Sequence, residues 1–343
     1  MTVEISVGPP VLTINHGNTF MITEPSGEIT ADGEQGLFAR DTRFVSYYSI
    51  SADGEPWTRV TSSTPTYYGS RIYLTNSDLI TEKGPVPAGS LSLIVSRAMA
   101  EGVHEDLDLV NYSLSPVGFN LEIAIRADFA DLFEVKSHRP VRRGRIETEW
   151  DSHAGELRTS YRNRDFHRCL IYRIGPDANS DYANGRITLS IELQPGASWH
   201  VCCNYIIGDG DKLKEPEGTC LLETEETRFD SLQREWLKQA TELTSANENL
   251  YRLFRQAVED MGALRLYERG SDESQWLSAA GVQVISVERL ETTPNPDNYR
   301  YLRTKRVRLG HHLTGLPELN AAMAAESEHV LLVVAGQALA LRG

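Results

Sequence analysis

The tightest constraint in this sequence is a period of two. In LEIAI (121–125), Leu121, Ile123 and Ile125 fall on one side of an extended chain, and in ITLSIEL (187–193), Ile187, Leu189, Ile191 and Leu193 do the same. A helix repeats its apolar positions every three or four residues, so strict alternation marks strands with one buried and one wet face. Similar runs rich in β-branched and aromatic residues recur as TFMIT (19–23), FVSYYSI (44–50), RIYLT (71–75), LSLIVSRAM (91–99), LDLVNYSL (107–114) and RCLIYRI (168–174). Turn chemistry separates them: Glu24-Pro25-Ser26-Gly27, Ala31-Asp32-Gly33, Ala52-Asp53-Gly54, Asn184-Gly185 and Pro195-Gly196. No helical pattern interrupts the series, which argues against a parallel α/β sheet. Residues 1–222 are therefore expected to form one antiparallel β-sandwich domain, mainly β in class.

The texture changes twice. Residues 223–280 hold a linker helix and then NENLYRLFRQAVEDMGALRLYE (247–268), where Leu250, Leu253, Phe254, Ala257, Val258 and Met261 form one apolar stripe at helical spacing. Asn247 is the expected N-cap, and Gly262 is expected to kink or close the helix. Residues 281–343 form a divergent tail, expected to be α-rich and atypical, with an apolar strand in VLLVVAG (330–336). Seven basic residues there face six acidic ones, whereas the whole chain carries a net charge of −14.

That acidity disfavours phosphate backbones and anionic membranes, so neither nucleic acid nor a membrane is an expected partner. It does not oppose a neutral sugar. The start, MTVEISVGPPVLTI, has no basic segment followed by a sustained apolar run, and the expected location is the cytoplasm. Cys169, Cys202, Cys203 and Cys220 include no C-x-x-C pair and read as reduced thiols. Cys202 and Cys203, if on a strand, point to opposite faces. No zinc-ligand spacing stands out, and His311-His312 reads as a solvated pair. No phosphate loop, nucleophile elbow or dinucleotide fingerprint occurs, so neither metal nor other cofactor is expected.

Two polar clusters remain. ADFADLFEV (127–135) offers Asp128, Asp131 and Glu134, of which Asp128 and Glu134 would share a face on a strand. A local turn would instead join Asp128 to Asp131. These acids suit glycoside chemistry in type, but they also suit turn caps and arginine pairs, for example with Arg126. GLFARDTRF (36–44) sets Arg40, Asp41 and Arg43 in an aromatic frame, fit either to present polar groups to a sugar or adjoining domain, or to form an internal ion-pair network. Aromatic candidates for sugar stacking are Trp57, Tyr67, Tyr68, Tyr73, Tyr161 and Trp199, with Tyr67-Tyr68-Gly69 the least core-like.

The strings LTINHGNTFMIT (12–23), GLFARDTRFVS (36–46), YLTN (73–76), HEDLDLVNYS (104–113) and ADFADLFEVK (127–136), in this order and spacing, resemble the N-terminal domain of bacterial glycogen-debranching-enzyme-like proteins of the amylo-α-1,6-glucosidase type. The resemblance runs over roughly residues 10–280. It implies a β-sandwich of the supersandwich kind, a linker helix, and then an (α/α)6 toroid that carries the catalytic carboxylates, with the helix at 247–264 as its first barrel helix. After Gly281 the resemblance stops. A toroid of about twelve helices needs on the order of 300 residues. The expectation is therefore a chain truncated before its catalytic domain, through a frameshift or early stop, and inactive alone. No catalytic residue carries over.

The resemblance implies a scaffolding role for Arg40, Asp41, Arg43, Asp128 and Asp131, facing the barrel or holding the sandwich together; with the aromatics Tyr67 and Tyr68 they are the candidates for a carbohydrate site or a domain interface. The expected partners are an α-glucan or a cognate (α/α)6 catalytic domain, with self-association through the apolar face of 247–264. The rivals are a stand-alone non-catalytic carbohydrate-binding module and a complete small hydrolase using Asp128, Asp131 or Glu134.

Overall fold

The computed structural model describes residues 10–216, apart from Asp32, Glu82, Pro140, Arg142, Asp177 and Asp211, and residues 228–267, plus short strands beyond. It contains two compact units, Met1–Ala280 and Gly281–Gly343.

In the first unit the strands are β1 Leu12–His16, β2 Thr19–Thr23, β3 Gly36–Ala39, β4 Thr42–Val45, β5 Tyr47–Ala52, β6 Glu55–Pro56, β7 Thr58–Thr66, β8 Gly69–Thr75, β9 Leu79–Thr81 and β10 Gly84–Val86. They continue as β11 Leu91–Met99, β12 Val103–Asn111, β13 Val117–Arg126, β14 Arg145–Asp151, β15 Glu156–Asn163, β16 Phe166–Ile174, β17 Ser180–Ala183, β18 Arg186–Leu193, β19 Ser198–Asp209 and β20 Lys212–Lys214. The helices are α1 Leu132–Lys136, α2 Arg228–Gln239 and α3 Glu248–Ala263.

A nine-stranded antiparallel sheet runs β14-β15-β16-β19-β12-β11-β8-β7, with β20 added beside β19. A five-stranded sheet, β17-β18-β13-β5-β6, packs against it, and β1–β4 form a smaller sheet. The expected antiparallel β-sandwich is what the chain forms. The alternation read from the sequence is its cause: Leu121 and Ile123 on β13 face inward beside Leu189 and Ile187 on β18, their register partners, and all four are at most 1% exposed. Burial of each such side chain contributes about 1.5–3 kcal/mol. The turn at Glu24–Gly27 closes as its composition suggests, with Gly27 N–H donating to Glu24 O at 2.8 Å and Gly27 at φ +85°.

An arginine–glutamate ion pair is buried in the core. Arg97 on β11 and Glu105 on β12 are opposite in register, 1% and 0% exposed, and Arg97 Nε donates to Glu105 Oε2 at 2.6 Å. Three tyrosine hydroxyls complete the carboxylate's shell: Tyr48 (2.7 Å) and Tyr172 (3.0 Å) donate to Oε1, and Tyr205 (3.1 Å) donates to Oε2. Arg97 Nη1 donates to Gly27 O at 2.8 Å, and its guanidinium lies 4.9 Å from the Tyr48 ring centroid. The pair thus joins both sheets, since Tyr48 belongs to β5 and the others to the larger sheet.

Asn247 caps α3, accepting from Asn249 N–H and Leu250 N–H. Gly262 is the penultimate residue of that helix, which ends at Ala263. Its role is close approach: a Cβ there would sit 2.5 Å from Trp236 Cδ1 on α2, whose Nε1–H donates to Val258 O at 2.8 Å. Asn15 Nδ2 donates to Ala263 O (2.9 Å) and Tyr68 Oη to Asp230 Oδ1 (2.7 Å), which fastens both helices to the sandwich.

In the second unit, Val330–Val334 pairs antiparallel with Gln337–Arg342, and Val287–Arg289 with Lys305–Arg306. The segment LPELNAAMAAESEH (316–329) of the tail expected to be α-rich, and the pair His311-His312, lie outside the described residues. Among the described residues no helix is long and apolar enough to cross a membrane.

Candidate functional site

Two sequence clusters meet at one cavity of about 650 Å³, lined by Arg40, Asp41, Thr42, Asp128–Asp131, Glu134, Val141, Arg143, Tyr161, Asn163 and Phe166. That size is in the range of small-ligand pockets.

The first wall is the hairpin turn between β3 and β4. Its two central residues, Arg40 (φ +48°) and Asp41 (φ +62°), are both left-handed. A tight hairpin demands this, and Asn-Gly is the usual solution. Arg-Asp adopts it at a cost of roughly 1–3 kcal/mol per strained residue. Phe129, in the facing wall, is also left-handed at φ +53°. Three of the seven described non-glycine residues with positive φ therefore line this one cavity.

The second wall begins where β13 ends at Arg126. The expectation that Asp128 and Glu134 share a strand face is corrected here, because the chain leaves the sheet and turns at Phe129. Asp131 then becomes the N-cap of the single-turn helix α1, accepting from Phe133 N–H at 2.8 Å, while Glu134 Oε2 accepts from Asp131 N–H at 3.3 Å. Asp128 is held by Arg43, whose Nε donates to Oδ1 at 3.2 Å and whose Nη2 donates to Oδ2. The arginine partner is thus Arg43 and not Arg126, which lies over the Tyr47 ring. Backbone bonds lock the two walls together: Arg43 N–H donates to Ala130 O (2.9 Å) and Leu132 N–H to Asp41 O (2.8 Å).

The third wall is aromatic. Tyr161 stacks on Phe129 with centroids 5.7 Å apart and meets Phe166 edge-on at 6.0 Å. Arg168 lies over the Phe166 ring at 4.2 Å and shares Asp209 with Arg40. Burial pulls the Arg168 guanidinium below its ordinary value, Asp209 opposes this, and the Arg40 cation reinforces it. Two cations on one carboxylate leave that rim with surplus positive charge.

Within this frame the acids differ in availability. Asp128 is ion-paired, and Asp131 and Glu134 are spent on the capping box, with Glu134 Oε1 also 3.2 Å from Arg143. Asp41 and Asn163 have no side-chain partner among the described residues. They offer carboxylate oxygens and an amide to a ligand's hydroxyl groups, beside the 40% exposed ring of Phe166, which the buried Tyr161 backs. Histidine and cysteine are absent from the lining.

Sequence reasoning named Arg40, Asp41, Arg43, Asp128, Asp131 and Tyr161, and these do converge. Arg43 lies behind the cavity as the support of Asp128. Tyr67 and Tyr68 are elsewhere, at the β7–β8 turn, with Tyr68 only 5% exposed and committed to Asp230. Trp57 is in the core against Phe119. Asn163, Phe166 and Arg143 were missed; they lie on or next to strands β14–β16, whose approach to the β3–β4 turn leaves no local sign.

No curated protein compared with the chain matches it. Among solved structures, a protein provisionally assigned as an aldose 1-epimerase from Escherichia coli K12 aligns at 10% identity and TM-score 0.36, over 58% of this chain and 99% of its own. A galactose mutarotase related enzyme from Lactobacillus acidophilus aligns at 10% identity and TM-score 0.33, over 60% and 100%. A protein from Synechocystis sp. PCC 6803 aligns at 9% identity and TM-score 0.36, over 60% and 99%. Scores this low bear on neither site nor substrate. The family described as the N-terminal domain of (some) glycogen debranching enzymes matches residues 14–204, more than half of the chain, and to that family this protein belongs.

Proposed function

We propose that the chain is a non-catalytic α-glucan-binding β-sandwich domain of a debranching-type glycoside hydrolase, and that the cavity between the Arg40-Asp41 turn and Phe166 is its glucan contact. The observation that supports this most is the pairing, in one cavity of about 650 Å³, of uncommitted polar groups on Asp41 and Asn163 with the exposed ring of Phe166. A glucose unit presents the same division, with C–H faces for the ring and a rim of hydroxyls for the polar groups.

Binding is favoured over turnover by the state of the acids. Glycoside hydrolysis needs one proton donor and one free carboxylate. Here Asp128 is neutralised by Arg43 and the other two close a helix N-terminus. The purified chain is expected to release no reducing sugar from an α-1,6-branched glucan, while glycogen cast into a native gel retards it. Asp41→Ala should lose most of the retardation, and Tyr67→Ala should keep it. Turnover abolished by Asp128→Asn would reverse the reading.

A partner surface goes with this role. On α3, Leu250, Tyr251, Leu253 and Met261 are 50%, 41%, 71% and 44% exposed, so the apolar stripe is only partly covered by α2. A cognate (α/α)6 catalytic domain is the proposed occupant, and a second copy of the chain takes its place when the chain is alone. Light scattering of the isolated chain is expected to show concentration-dependent association that Leu253→Glu removes. Unchanged association in that variant would place the contact elsewhere.

A further inference from the structure

The buried ion pair leaves one of its donors unused. A guanidinium offers N–H groups on all three of its nitrogens. Arg97 Nε donates to Glu105 and Nη1 to Gly27 O, while Nη2 is sealed from solvent with no hydrogen-bond partner among the described residues. Trp57 Nε1, where the chain passes from β6 to β7, is buried in the same condition. Arg97 is 1% exposed and Trp57 is 9% exposed. A buried donor left unpaired destabilises the fold by roughly 1–3 kcal/mol, and more when it is charged.

Both residues line one small cavity between the two sheets, walled also by Ser26 and Glu28 after β2, Ile50 on β5 and Leu74 on β8. Its free volume of about 10 Å³ matches the room one water molecule needs. An occupant must accept two hydrogen bonds, which at this size leaves a water or a halide ion.

Charge decides between them. Arg97 and Glu105 already balance, and the Glu28 carboxylate lines the same cavity. A halide would add a further negative charge beside a balanced pair, in an interior where unpaired charge is most costly. A water adds none, and it needs acceptors for its own two protons. The cavity supplies them in the Glu28 carboxylate and in Ser26 Oγ, which itself lies 3.4 Å from Glu28 Oε2. Burial foremost raises the Glu28 carboxyl above its ordinary value, as suits an acid that turns toward the interior.

We propose that this cavity is a binding site for one ordered water, which accepts from Arg97 Nη2 and Trp57 Nε1 and donates to the Glu28 carboxylate. The water extends the buried network outward. It ties the turn that follows β2 and the β6–β7 junction to the ion pair that joins the two sheets.

The test is nuclear magnetic resonance of the full chain, deuterated and labelled with nitrogen-15. The five tryptophans give five indole N–H signals, and the one absent from Trp57→Phe belongs to Trp57. Through-bond correlation to the ring protons assigns the same signal if that variant does not fold. The expected result is a cross peak between the Trp57 indole proton and water that has opposite signs in laboratory-frame and rotating-frame spectra, which separates a held water from proton exchange. Glu28→Ala, at a half-buried position, should speed hydrogen exchange of this indole at least about tenfold, whereas Glu28→Gln, which keeps an acceptor oxygen, should stay within about twofold of wild type. A folded wild-type chain without that cross peak overturns the proposal. So does a Trp57 indole signal that moves when chloride is exchanged for bromide at constant ionic strength, because the occupant is then a halide. Equal exchange in Glu28→Ala and wild type refutes the part assigned to Glu28.

Discussion

Replacing Arg97 with methionine is expected to destabilise the protein by about 3–5 kcal/mol, enough to unfold a marginal domain at physiological temperature. The substitution is nearly isosteric, so packing is not the cause. It leaves the Glu105 carboxylate 0% exposed, with three tyrosine hydroxyls but no cation. Burial alone would draw the Arg97 guanidinium down, but Glu105, Tyr205 and Tyr48 together outweigh it and hold the cation above its ordinary range. Each charge is therefore tolerated in the core because of the other. The double variant Arg97→Met, Glu105→Leu should recover much of the loss, since replacing both members of a buried pair is often close to neutral. Urea titrations of the single and double variants measure both effects. A single variant within about 1 kcal/mol of wild type would show that the pair is not the coupled core element described here.

The same cluster predicts a steep loss of stability in alkali. Burial raises the hydroxyls of Tyr48, Tyr172 and Tyr205 well above the ordinary tyrosine value of 10.0, and neighbouring acidic groups, Glu105 among them, add to this. Burial likewise raises the Cys203 thiol well above 9.0. The sign follows from linkage. Above these ordinary values the unfolded chain has lost its protons while the folded chain keeps them, so stability falls as pH rises. Stability from these groups is fully present below pH 9. It begins to fall there through Cys203, and from pH 10 the three tyrosines add about 4 kcal/mol per pH unit. Tyr172→Phe should remove about a third of that slope. Equilibrium unfolding at a series of pH values from 8 to 11 gives the slopes directly. An identical slope in wild type and Tyr172→Phe would place the alkaline sensitivity outside this cluster.

The sandwich was legible because its cause is local. Alternation in Leu121–Ile125 and Ile187–Leu193 identifies the inward face of each strand without knowledge of its neighbours, and those faces are the buried ones. The N-cap at Asn247 is equally local. Cys202 and Cys203 were expected on opposite faces, and Cys203 is buried while Cys202 is only partly so. Partnership was not legible. Periodicity shows that His104, Asp106 and Asp108 share a face, but not that β19, about a hundred residues later, brings His200 and Cys202 beside them. The 2.8 Å hydrogen bond from Trp236 to Val258 has the same character: Gly262 looked like a helix breaker because its neighbour on α2 was unknown. The glucan cavity was half legible. The clusters at 36–44 and 127–135 stood out as polar residues in apolar frames, and the turn at Phe129 brings them together. The third wall depends on strand order, which alternation does not encode.

The measurement that bears most directly on the proposed role is calorimetric titration of a linear maltooligosaccharide into the wild-type chain and into an Asp41→Ala, Phe166→Ala double variant. Both residues are at the cavity surface and outside the core. The expected result is saturable binding by the wild type that weakens at least about a hundredfold in the variant, from loss of a charged hydrogen-bond acceptor and a stacking face. Wild-type binding that the double variant retains in full, or no binding by a folded wild-type chain, would contradict the assignment of this cavity to an α-glucan.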